Sequence, residues 1–199
     1  MIKYLCEAYY KIDDDIVLGS SFAGLGGTSN SYVFRGVIVG QQRSDGTYPT
    51  ITNKSASPLI RFSSGSVVKN INIKYTNVTL SKNNKNKLNY STGKTEYYGG
   101  VMGVVFGGDN IIDNVKVTNP NIIFAKNDNS KQHLITAGGY VGAIVYGGVI
   151  FRNMDNVAKD SALTTNNTEA VGENAATGEG VELLRPLIKD KKSLLSGNS

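Results

Sequence analysis

The chain has 199 residues, a formal net charge of +5, one cysteine, one histidine and no tryptophan. That length fits one domain, or one domain with a tail. A single cysteine excludes an intrachain disulfide and a cysteine-cluster zinc site, and no apolar run approaches the ~18–20 residues needed to span a bilayer.

Gly, Asn, Ser and Thr are abundant, Pro is scarce, and the helical period barely shows before the last quarter, which predicts an all-β chain with many turns. Residues 1–8 are short and partly apolar. MIKYLCEAYY lacks the basic segment followed by a long apolar run that marks a signal peptide. The chain is therefore expected either to stay inside the cell or to be a piece of a longer exported one.

In YYKIDDDIVLG, residues 9–19, Ile12, Ile16 and Leu18 share the parity of a strand. Asp13, Asp14 and Asp15 invite a Ca²⁺ reading, but their spacing is not that of an EF-hand loop and alternate strand residues face opposite sides. A turn or an exposed edge suits them better, and no metal or cofactor is expected. Gly24, Gly26 and Gly27 belong to a Gly/Ser-rich connection, not a phosphate loop, because no Lys-Ser/Thr pair or helix follows. VFRGVIVG, residues 33–40, reads as a strand, SDGTYP as a turn and TITN, residues 50–53, as a returning strand.

From residue 57 the chain repeats itself. FSSGSVVKNINIKY at 62–75 recurs as FGGDNIIDNVKV at 106–117 and as YGGVIFRNMD at 146–155, at intervals of about 40 residues. Val and Ile suit a pleated, half-buried surface, whereas Asn tolerates bends and bonds the local backbone. Asn70, Asn114 and Asn153 are thus expected to mark equivalent bends and to hydrogen-bond one another between copies. One copy cannot bury its apolar face alone, but an array can. The residues before each Asn, namely Lys69, Asp113 and Arg152, would form a column of alternating sign.

The two insertions, SKNNKNKLNYSTGKTE at 81–96 and AKNDNSKQHL at 125–134, leave their copies at the same place. They are expected side by side on one flank. His133 reads as a loop residue, with no metal partner near it in sequence. TTNNTEAVGENAATGEG, residues 164–180, has the composition of a loop or disordered segment. Pro186 limits any helix in VELLRPLIKDKKSLL, residues 181–195.

The segment YYKIDDDIVLGSSFAGLGGTSNSYVFRGVIVGQQ resembles the opening coils of bacterial surface proteins with a right-handed parallel β-helix. YYGGVMGVVFGGDNIIDNVKV and GGYVGAIVYGGVIFRNM resemble the GLUG-type repeats of the same proteins. One departure is Gly40-Gln41 where those proteins usually carry Asp-Gly. The resemblance covers residues 9–156 and implies a secreted or cell-surface, repeat-built protein with no catalytic residues to carry over. The expected fold is therefore an all-β right-handed parallel β-helix, or β-solenoid, with long loop insertions. Its coils would fill residues 1–156, opening at 9–53 and repeating over 57–156. Residues 157–199 would form a weakly ordered polar tail or an end cap.

The expected function is that of a non-catalytic extracellular surface module. It would be an adhesin-like stalk whose flank loops touch glycan or a host surface, within a longer chain. The candidate ligand-binding residues are Lys82, Lys85, Lys87, Tyr90, Lys94, Tyr97, Tyr98, Lys126 and Lys131. Tyrosine stacks on a sugar face with its hydroxyl still bonded, and lysine attracts acidic groups. The expected partner is an acidic glycan or host-surface polymer, not nucleic acid. The alternative is a fragment of a β-helical polysaccharide lyase or hydrolase, which needs clustered carboxylates on one sheet face. Asp109, Asp113 and Lys116 come nearest, but their equivalents in the preceding copy are Ser66, Lys69 and Asn72.

Overall fold

The computed structural model describes residues 6–27, 32–76, 78–80, 87–90, 93–124, 133–154 and 162–166. They form thirteen strands: β1 (Tyr9–Ile12), β2 (Ile16–Leu18), β3 (Val37–Gly40), β4 (Thr50–Asn53), β5 (Ile60–Ser63), β6 (Val67–Tyr75), β7 (Val78–Leu80), β8 (Lys87–Tyr90), β9 (Gly93–Gly99), β10 (Met102–Phe124), β11 (His133–Gly138), β12 (Val141–Arg152) and β13 (Ala162–Asn166). No helix occurs among the described residues, and hence none long and apolar enough to cross a membrane.

Ten strands make one parallel sheet whose main path runs β1-β3-β6-β10-β12, and β8, β9 and β11 make a second, smaller sheet. The expectation of a right-handed parallel β-helix is corrected here. The parallel sheet is curled into a half-barrel and does not wind as a right-handed solenoid. The physical reason lies in β10, which continues from Met102 to Phe124 through both bends of its repeat. It pairs with β5, β6 and β7 on one side and with β12 and β13 on the other. Its bends curve the ladder without ending it, so successive segments remain in one sheet.

The bends follow from residue chemistry. Asn70, Asn114 and Asn153 have φ of 57°, 50° and 50°, and they are the non-glycine residues with left-handed backbone among those described. Asn enters this region more readily than most residues because its short polar side chain bonds locally. The register pairs Lys69 with Asp113 and Asp113 with Arg152, which aligns the three asparagines across the sheet. Asn114 Nδ2 donates to Asn70 Oδ1 at 3.0 Å, as the repeat predicts. Asn153 Nδ2 donates instead to Asp113 Oδ1 at 2.8 Å. Gly40 continues the same column, where an added Cβ would collide with the Asn70 carbonyl oxygen.

The other bend carries a β-bulge between Phe106 and Asp109, with Gly107 and Gly108 at positive φ. There the backbone of Gly147 passes so close to Gly108 that a Cβ on Gly147 would strike the Gly108 carbonyl oxygen.

The core is built in columns. Ile38, Val68 and Ile112 are buried in register, as are Ile51, Ile73 and Val117. Tyr75, Tyr98 and Tyr140 are its largest side chains. The Tyr75 hydroxyl donates to the Gly100 carbonyl at 2.8 Å, and burial pushes its pKa up. The polar tail expected from residue 157 begins differently. Ala162–Asn166 form β13, which pairs with Thr118–Asn119 and Ile122–Ile123 of β10. Residues 167–199 lie outside the described residues.

Candidate functional site

The small sheet is where the two insertions meet. β8 and β9 form an antiparallel pair that sets Lys87 opposite Glu96 and Tyr90 opposite Gly93. β9 and β11 run parallel, with Lys94 beside His133, Tyr97 beside Thr136 and Tyr98 beside Ala137. Both strands then turn through paired diglycines, where Gly100 N–H donates to the Gly139 carbonyl at 3.1 Å. They continue as the parallel pair β10 and β12. The end of the large sheet thereby sets the register of the small one. The side-by-side emergence expected from the matched insertion points is observed in the backbone of these strands.

The individual candidates fare differently. Lys82, Lys85, Lys126 and Lys131 lie outside the described residues. Lys87, Tyr90, Lys94 and Tyr97 are backbone members of β8 and β9. Tyr98 does not belong to the surface group. It is fully buried, and its ring meets that of Tyr75 edge-on at 5.8 Å between centroids. Its two preceding neighbours gave no hint of this, because burial arises where β9 enters the core of the large sheet. His133 opens β11 rather than lying in a loop.

The carboxylates of the large sheet do not converge. Asp109 pairs in register with Gly148, Asp113 with Lys69 and Arg152, and Lys116 with Asn72. Asp113 accepts the hydrogen bond from Asn153. Among the described residues, no three of the His, Cys, Asp and Glu side chains group as a metal site. At the other end, Asp15 Oδ1 accepts from Arg43 at 2.6 Å and from the Thr50 N–H at 2.7 Å. The Thr50 N–H, then the Arg43 guanidinium, holds the Asp15 carboxyl below its ordinary value. The triple Asp is thus an exposed turn that clasps the start of β4.

Two buried polar groups escape a reading of the sequence. Asn110 is fully buried, and its Oδ1 accepts from Ser63 Oγ at 2.6 Å and from the Ser66 N–H at 3.1 Å. Its Nδ2 donates to the carbonyls of Gly107, Gly108 and Gly148 at 3.0, 3.2 and 3.1 Å. The available signal was a polar residue immediately before each Val or Ile pair, at Ser66 and Asn110. Arg61 is also buried, with no carboxylate partner among the described residues. Its guanidinium donates to the carbonyls of Ala23 and Gly27 in the glycine-rich connection, while its Nε has no partner among the described residues. Desolvation lowers its pKa. These contacts satisfy backbone groups in bends and loops.

The large sheet also carries an aromatic pair at its surface. Phe106 and Tyr146 sit side by side on β10 and β12 with ring centroids 5.3 Å apart and planes at 89°. Tyr146 is 63% exposed. Compared with family models, curated proteins and solved structures, this chain matches none.

Proposed function

We propose that this chain is a non-catalytic module of the cell-surface or secreted type, of the kind its GLUG-like repeats resemble. The curled sheet acts as the stiff support, and the paired insertions hold an acidic glycan or a similar host-surface polyanion. The observation that carries the reading is the parallel pairing of β9 with β11. It sets the described ends of the two insertions next to each other, Lys94 beside His133 and Thr95 beside Leu134, although they are far apart in sequence. Recognition commonly sits on loops held by such a scaffold, and clustered cations draw an acidic polymer in a salt-sensitive way.

A glycan array tests this at low and at high salt. It compares the intact chain with a variant in which residues 81–96 are replaced by a short Gly/Ser linker. Binding of acidic glycans by the intact chain, lost in the variant and weakened by salt, is the expected result. Absence of binding to any glycan at low salt, or equal binding by both proteins, removes the flank as a site.

A further inference from the structure

The turn between β3 and β4 carries a reactive pair of residues. Asp45 is followed by Gly46, and nowhere else in the sequence is an Asp or Asn followed by glycine. Both residues are exposed. An aspartate side chain can be attacked by the backbone nitrogen of the next residue. That nitrogen is least hindered when its own residue has no Cβ.

The folded turn opposes this attack at both reacting groups. The nitrogen is occupied, because the Gly46 N–H donates to the Arg43 carbonyl at 3.0 Å. The carboxylate is occupied too, because Asp45 Oδ1 accepts from Thr47 Oγ1 at 2.7 Å and from the Thr47 N–H at 2.9 Å. The Thr47 hydroxyl, then the Thr47 N–H, holds the Asp45 carboxyl below its ordinary value. Two more bonds close the turn, from the Arg43 N–H to the Thr47 carbonyl at 2.9 Å and from Gln42 Nε2 to the Gly46 carbonyl at 3.1 Å. All these partners lie within residues 42–47, so the turn latches itself.

We propose that Asp45 is a site of isoaspartate formation, and that the Thr47 hydroxyl is the latch that restrains it. In the reaction the Gly46 nitrogen bonds to Asp45 Cγ and a Cγ–O bond breaks. The proton of the nitrogen leaves with the carboxyl OH as water, and the product is a five-membered succinimide. Water then opens the ring at one of its two carbonyls. One opening restores aspartate. The other leaves the backbone running through the side-chain carbon, as isoaspartate. The first step needs a neutral carboxyl, since hydroxide leaves far more readily than oxide, and a nitrogen released from its hydrogen bond. Thr47 favours the carboxylate anion, and the Arg43 carbonyl engages the nitrogen. Isomerisation inserts one methylene into the backbone between Arg43 and Thr50, the two residues that hold Asp15.

Peptide mapping by mass spectrometry follows isoaspartate during warm storage at neutral pH. It compares the intact folded chain with the same chain unfolded in urea, and each with a Thr47→Val variant in the same state. Valine keeps the branched shape and the backbone N–H but removes the hydroxyl. Thr47 is exposed, and an unchanged circular dichroism spectrum verifies that the variant folds. Folded wild type is expected to form isoaspartate at Asp45 about tenfold more slowly than the unfolded chain, in keeping with the strength of hydrogen bonds to a charged acceptor. Folded Thr47→Val should react several-fold faster than folded wild type, and the two should match in urea. Thr47→Ser, which restores a hydroxyl, should react as the wild type does.

Equal rates in the folded and unfolded wild type overturn the proposal. A folded Thr47→Val rate equal to that of the wild type overturns the hydroxyl as the latch. Isoaspartate that accumulates first at another residue overturns Asp45 as the site.

Discussion

Ile112 and Ile12 are the same residue type and both pack in one core, yet their surroundings differ. Ile112 sits on β10, with a strand hydrogen-bonded on either side, and has no exposed surface. Ile12 ends β1, which among the described residues pairs with β3 alone, and is half-buried. The same contrast separates Val68 and Ile112 from Phe151 in one continuous register. Burial in this protein is therefore a property of position across the sheet as much as of side-chain chemistry. In a parallel sheet each strand completes the environment of its neighbours, and the terminal strands receive half of what they contribute.

The largest test of that contrast is a pair of alanine substitutions. Ile112→Ala should destabilise by about 2–5 kcal/mol, since the buried site leaves a cavity that its neighbours only partly fill. Ile12→Ala should cost roughly 1–2 kcal/mol, because less of its surface leaves water on folding. Urea denaturation midpoints measure both. Equal losses would mean that β1 is covered as fully as β10.

Asn110 comes next. Asn110→Ala removes, from a fully buried position, the acceptor of Ser63 and Ser66 and the donor to three carbonyls. Leaving such groups unpaired should cost about 1–3 kcal/mol. Its exposed analogue in the other bend, Asn153, bonds only Asp113 among the described residues, and Asn153→Ala should cost clearly less. If thermal scans place the two variants at the same midpoint, the buried network contributes no more than the exposed bond.

Asn114 separates hydrogen bonding from backbone strain. Asn114→Ala loses the bond to Asn70 and forces a Cβ residue without a polar side chain to keep φ near 50°. Asn114→Gly loses the bond but adopts that φ freely. The alanine variant should therefore be less stable than the glycine variant by about 1 kcal/mol. Stabilities in the reverse order would show that the left-handed bend is not what selects Asn.

The smallest effect is expected at the exposed end, from Asp15. Its folded pKa lies below the ordinary 3.8, first because of the Thr50 N–H and then because of Arg43. Its contribution is thus fully present above 3.8 and is lost as pH falls through the lower folded value. Asp15→Asn should lower the melting temperature slightly at neutral pH, and the gap to wild type should close on acidification. A gap that persists unchanged to the acid limit would assign the loss to packing rather than to the carboxylate.

Much of this could be read from the residues in order. The recurring Asn announced three equivalent bends, because few other side chains tolerate a left-handed backbone. The Val and Ile pairs beside them announced which positions align on neighbouring strands. The shared exit point of the two insertions announced that they would lie together. Tertiary structure alone decided the rest. A repeat specifies register and bend positions, but whether the strands wind into a closed coil or stay in one curled sheet depends on how the ladder passes the bends. Here β10 carries it through. Tyr98 resembled its surface-assigned neighbour Tyr97 in sequence and became core because β9 runs into the large sheet beside Tyr75. Arg61 gave no sign of burial, since the carbonyls that receive its guanidinium come from a loop more than thirty residues earlier. Local chemistry determines bends and pairing partners through short-range sterics and hydrogen bonds. Burial and curvature are set by which distant segments arrive on the other side.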